Sequence, residues 1–230
     1  MQLTGEPFDL EELVRLFDQP SIRVLEQQGA FVLESAEFQR CTSAAEVRQR
    51  AQEIIVSING AARLALPQFR SATLGAVVEQ THHGRSVHAA IVGSVTVRAK
   101  VNAVLVHTGS SAAGPRAPVE TNAWIALAIR DEPVRRLLRL VSEQGSTWQG
   151  LYKMMEILQS TGGDALLVRC GISGNELKRF SQTANSMHAV GDQARHAKES
   201  MPAPRRPMSL DEASRLITRW SRAWITNRSI

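Results

Sequence analysis

The chain has 230 residues, 43% of them hydrophobic and 21% charged, which is ordinary globular usage and enough length for one large domain or two small ones. No run approaches the roughly 18 apolar residues that a membrane span needs. The acidic, amphipathic start also lacks the basic end and apolar centre of a signal peptide, so a soluble, cytoplasmic protein without a membrane partner is expected.

Leu10, Leu13, Val14 and Phe17 recur at helical spacing, with Asp9 or the turn before it as cap and Pro20 as the stop. Ile22 and Val24 begin an extended segment, residues 26–29 form a turn, and residues 30–35 return as a strand. Ser43 and Glu46 have capping-box spacing. They open a long helix that buries Val47, Ala51, Ile54, Ile55, Ile58 and Ala62 and ends near Leu66. Asn59-Gly60 is its weak point, with Gly60 expected to allow close packing on a sheet. The period then changes to two. Residues 71–80 read as a strand, 81–85 as a turn with Gly84 at its tip, and 86–92 as the return. Val95, Val97, Ala99, Val101 and Ala103 alternate with polar residues in a further half-buried strand. This half therefore reads as a mostly antiparallel sheet of four or five strands carrying one long helix.

Residues 107–120, rich in Gly, Ser, Ala and Pro, are the candidate linker between an N-terminal part (1–110) and a C-terminal part (118–230), which are two domains or one continuous core. Helical periodicity holds thereafter. A short helix spans 122–129. A second starts at Asp131-Glu-Pro133, a third at Ser146, a fourth at Ser173 and a last at Ser209, each with capping residues in place. Gly162-Gly163 stops the third. The fold class is α+β: an N-terminal, mostly antiparallel sheet with one long helix, and a C-terminal helical bundle.

The common motifs that hold phosphates, dinucleotides, catalytic zinc or a nucleophilic serine are absent. Cys41 and Cys170 are not in a CxxC pair, and they read as two reduced thiols. His82 and His83 are adjacent at a hairpin tip with His88 across the turn. Adjacent strand residues face opposite ways, so exposed loop histidines are the reading, and neither a metal nor a cofactor is called for. Trp148, Trp220 and Trp224 lie on apolar stripes and read as core.

The densest set of chemically capable residues lies in 178–198. Thr183, Asn185 and Ser186 are expected to break the helix after Phe180, because their side chains compete for backbone hydrogen bonds. Asp192 is expected to cap a new helix whose first turn carries Arg195 and His196. Arg195 would bind a phosphate while His196 moves a proton, with Asn185 and Asp192 orienting the ring and Arg179 in support. The competing reading is a polar network that pins an irregular corner, with Arg195 in a salt bridge.

Residues 148–158, 179–186 (RFSQTANS), 191–197 (GDQARHA) and 207–220 together resemble a family of uncharacterised bacterial proteins. The helical bundle is more distantly similar to HEPN domains, many of which are ribonucleases of toxin–antitoxin or antiviral systems. In those domains several residues separate the signature arginine from its histidine, whereas Arg195 and His196 are adjacent. That resemblance implies a metal-independent ribonuclease or a defence factor acting on nucleic acid, with RNA or another polyanion as partner. A formal charge of +5, a pI near 9.9 and far more arginine than lysine fit such a partner. The alternative is a non-enzymatic protein-binding or scaffold module, forming a homodimer or holding a protein partner.

Overall fold

A computed structural model describes residues 1–81, 84–88, 117–195 and 202–229. The architecture is α+β, with small antiparallel sheets towards the N-terminus and helices after them. Strand β1 (Leu3–Thr4) leads into helix α1 (Pro7–Leu16). Its cap is Glu6 with Pro7 in the first turn, not Asp9, which lies buried inside that turn. Proline preorganises the helical φ and lacks the N–H that a helix start leaves unpaired. Strands β2 (Asp18–Gln19), β3 (Ile22–Gln27) and β4 (Ala30–Ser35) form one antiparallel sheet in that order. Gln28 and Gly29 both have positive φ, 53° and 74°, as the tight hairpin between β3 and β4 requires.

A short 3₁₀ turn, Ala36–Arg40, precedes α2 (Ala44–Ala65). Ser43 caps this helix by accepting from the Glu46 amide. The reciprocal half of the expected capping box is displaced by one residue: the Glu46 carboxylate takes the Thr42 amide at 2.7 Å. Leu66 closes the helix as expected.

The expected strand 71–80 is divided at Gly75 and Ala76 into β5 (Thr73–Leu74) and β6 (Val77–Thr81). The cause is the N-terminal segment. Gln2 donates to the Ala76 carbonyl, Gly75 donates back to Gln2, and Leu33 donates to Met1. Residues 1–4 thereby run between β4 and β5, and among the described residues the strands form three small sheets, of two, three and two strands. Strand β6 pairs with β7 (Gly84–His88). Gly84 is paired opposite Thr81, so it belongs to the ladder and not to the tip of a turn. His82, His83 and the alternating stretch 95–103 lie outside the described residues, as does 107–116 of the candidate linker.

From Ala117 onward that linker is helix. Helix α3 (Ala117–Arg130) is longer than the span 122–129 read from periodicity. Helix α4 (Glu132–Gln144) is capped by Asp131, and α5 (Trp148–Ser160) by Thr147, one residue after the expected Ser146. Gly162, with φ of +81°, ends α5, and a 3₁₀ turn follows at Gly163–Leu166. Helix α6 (Gly174–Asn185) continues five residues past Phe180. Its polar C-terminal residues stay helical because their side chains bond back along it: Thr183 to the Arg179 carbonyl at 2.8 Å and Asn185 to the Ser181 carbonyl at 2.8 Å. A one-turn helix, α7 (Met187–Val190), a 3₁₀ turn at Gly191–Gln193 and finally α8 (Leu210–Arg228) complete the described chain.

One hydrophobic cluster runs from Met1 through α1, α2 and all the longer helices to Ile225. Trp124, Trp148, Trp220 and Trp224 are all buried in it. Gly60 meets a helix, not a sheet. A Cβ there would lie 2.7 Å from the carbonyl carbon of Leu138 in α4, so α2 and α4 touch backbone to side-chain-free backbone. Among the described residues, no helix is long and apolar enough to cross a membrane.

Two complete capping boxes start α6 and α8. Ser173 and Glu176 bond reciprocally, as do Ser209 and Glu212. The backbone N–H of each serine, foremost among the causes, holds the partner carboxyl below the ordinary glutamate range. A carboxylate depressed in the folded state adds stability above its ordinary value and loses it as pH falls through the depressed one. Stability is therefore expected to decline below pH 4.5, the ordinary value for both groups. Urea midpoints followed from pH 7 to pH 3 should fall less steeply in a Glu176→Gln/Glu212→Gln double variant than in the parent.

Candidate functional site

Helix α5 places Trp148, Tyr152 and Glu156 one turn apart on a single face. Helix α6 lays Phe180 against that face, with ring centroids 6.1 Å from both Trp148 and Tyr152. The chain leaves α6 through α7, turns at Gly191 with φ of +60°, and comes back. Ala194 is extended, and the Arg195 amide donates to the Ala184 carbonyl at 2.9 Å. That bond satisfies one of the carbonyls left unpaired at the end of α6.

The return path carries the Arg195 side chain onto the aromatic stack. Its guanidinium lies 4.2 Å from the Tyr152 ring centroid and donates to the Glu156 carboxylate at 2.6 Å. The side chain stays 33% exposed. Arg195 therefore follows an extended residue and does not sit in the first turn of a new helix. Asp192 lies exposed within the 3₁₀ turn and caps no helix among the described residues; Val190 occupies the cap position of the turn. His196 lies outside the described residues.

The supporting residues are drawn elsewhere. Arg179 turns towards the start of α8, where it donates to the carbonyls of Arg206 and Pro207 at 2.8 and 3.2 Å and pairs with Glu212 at 3.2 Å. Asn185 is buried, and its Oδ1 has no partner among the described residues. Its amide donates to Ser181, whose hydroxyl also lies 3.4 Å from the Tyr152 hydroxyl. Asn185 thus borders the Tyr152 stack, while Arg179 and Asp192 do not share it. Tyr152 and Glu156 are the residues that sequence reasoning missed. Their i, i+4 spacing was visible, but the partner 39 residues away was not.

The electrostatics are those of a clamp. Arginine over an aromatic face adds about 1 kcal/mol when partly exposed, and an exposed ion pair adds less. Arg195→Ala is expected to lower stability by about 1 kcal/mol, read as a shift in the urea midpoint with unchanged slope. Tyr152→Leu in the same background should cost less than it does alone, because the contact is already gone.

Among the described residues, no three His, Cys, Asp or Glu side chains gather to hold a metal. Cys41 and Cys170 are free and half-buried. Burial pushes the Cys170 thiol above its ordinary value, against the opposing pull of Arg219 and Arg169. An open groove of about 860 Å³ runs beside β4 and the start of α2, lined in part by Val32, Phe38, Ser43, Val47 and Val77. No known family, curated protein or solved structure matches the chain.

Proposed function

We propose that the protein binds nucleic acid through its basic helical half, as a binder and not as a nuclease. The supporting observation is how the arginines of the 178–198 stretch are used. Arg195 is spent on Tyr152 and Glu156, and Arg179 on two carbonyls and Glu212. A group that must meet a scissile phosphate is poorly served by a carboxylate already bonded to it. The chain meanwhile carries a net charge of +5 with arginine in large excess over lysine, which suits phosphate contacts. Labelled RNA should be retained by the protein at low salt and released as salt rises, with its length unchanged after prolonged incubation in chelator.

A second reading, a HEPN-like ribonuclease of the defence type, rests on a separate observation. Arg195 keeps a third of its side chain exposed and is followed directly by His196. The same incubation separates the two readings. Cleavage by the parent that is lost in both Arg195→Ala and His196→Ala would establish the nuclease. Intact RNA with all three proteins would remove it.

A further inference from the structure

Helix α8 has two faces of opposite character. Ala213, Leu216, Ile217, Trp220 and Trp224 are buried. Arg215, Arg219 and Arg222, at i, i+4 and i+7, share the opposite, exposed face. Their spacing along the axis is about 6 and then about 4.5 Å. After Glu212 the helix contains no acidic residue, and Arg228 follows the stripe.

We infer that this outward stripe of α8 is the track on which the phosphodiester backbone of a nucleic acid lies, an inference that rests on the binding reading above. The present partners of the three arginines are easily exchanged. Arg215 pairs with Asp211 one turn back, and both side chains are about two-thirds exposed or more, at 68% and 73%. Arg222 pairs with Glu120 at 3.1 Å, and Arg219 donates to the Gly171 carbonyl at 3.5 Å with the Glu176 carboxylate near enough to feel its charge. Exposed pairs of this kind contribute little, so a phosphate displaces them at small cost. The guanidinium fork matches two phosphate oxygens at once, which an ammonium does not.

Another exposed arginine row, Arg136 and Arg139 of α4, differs in one respect. Acidic residues flank it at both ends of its face, Glu132 and Glu143, whereas the face of α8 carries one, Asp211, at its start. Recognition on α8 is also confined to the backbone. Among the described residues of the helical half no aromatic side chain is exposed, since the four tryptophans and Phe180 are buried and Tyr152 is covered by Arg195. Bases therefore have no stacking platform, and binding should be sequence-independent and governed by salt.

Fluorescence anisotropy with a labelled single-stranded RNA, a duplex RNA and a duplex DNA tests this. Three neutralised phosphates predict a slope of about −2 in log affinity against log salt for the single strand. An Arg215→Gln/Arg219→Gln/Arg222→Gln variant should bind about tenfold or more weakly at low salt, with a slope near zero. An Arg136→Gln/Arg139→Gln variant should stay within about twofold of the parent. Thermal unfolding of each variant checks that it is folded. If the triple variant is not, Arg215→Glu alone should still weaken binding about threefold. A folded triple variant that binds like the parent overturns the inference and leaves nucleic-acid binding standing. Competition by poly-glutamate as strong as by unlabelled RNA overturns the phosphodiester as the ligand. A parent that retains none of the three probes overturns both the inference and the binding reading.

Discussion

Gly60→Ala is expected to destabilise the protein by about 3 kcal/mol, although the substitution favours the helix that carries it. Alanine is preferred over glycine inside a helix by about 1 kcal/mol. Against that gain stands the Leu138 carbonyl group of α4, which a new Cβ would overlap, with the carbonyl carbon only 2.7 Å away. The obstacle is backbone and cannot rotate aside. Relief requires α4 to withdraw from α2, and with it Leu137 and Leu138, both fully buried. Overpacking of a close-packed interior costs about 1–3 kcal/mol and more where backbone must move, so the clash outweighs the propensity. The measurement is the urea midpoint. A midpoint unchanged or raised would mean that the two helices are not in backbone contact.

Asn59→Ala is expected to cost a similar amount, about 3 kcal/mol, by another route. The Asn59 side chain is buried and holds both main-chain groups of Ala72: its amide donates to the Ala72 carbonyl at 2.9 Å, and its Oδ1 accepts the Ala72 amide at 3.0 Å. Truncation leaves a donor and an acceptor unsatisfied inside the protein, each worth about 1–3 kcal/mol. The loss should be accompanied by faster hydrogen exchange at the Ala72 amide than in the parent. A loss of stability with that amide still protected would point to the cavity alone. Since positions 59 and 60 are adjacent, the double variant should not show the sum of the two effects.

This dipeptide illustrates what the amino-acid sequence discloses. Asn59-Gly60 looks like a flaw in a good helix, because intrinsic preference scores the residues one at a time. Its purpose emerges only when Ala72 and Leu138 arrive from elsewhere in the chain. Local signals were reliable where they were self-contained. Ser43, Asp131, Ser173 and Ser209 cap the helices they precede, and the apolar stripe of α8 is buried as its spacing indicates. They failed where a remote partner decided. Gln2 splits the strand at Gly75, and Leu138 of α4 is what the glycine at position 60 admits. At the candidate site, the salt bridge expected for Arg195 under the structural reading is present, with Glu156. The helical turn expected for Arg195 is not, because Gly191 and Ala194 redirect the chain to the Ala184 carbonyl.

The capping box at the start of α8 also bears on how the molecule opens. Arg179 of α6 grips the carboxylate that closes the box of α8, and the Thr183 hydroxyl receives the Met208 amide just before that box. The first turn of α8 cannot fray without undoing bonds to the middle and the last turn of α6. The start of α8 and the C-terminal part of α6 are thereby joined into one cooperative unit, whose amides should share a single opening free energy although 24 residues separate Asn185 from Leu210 in the chain.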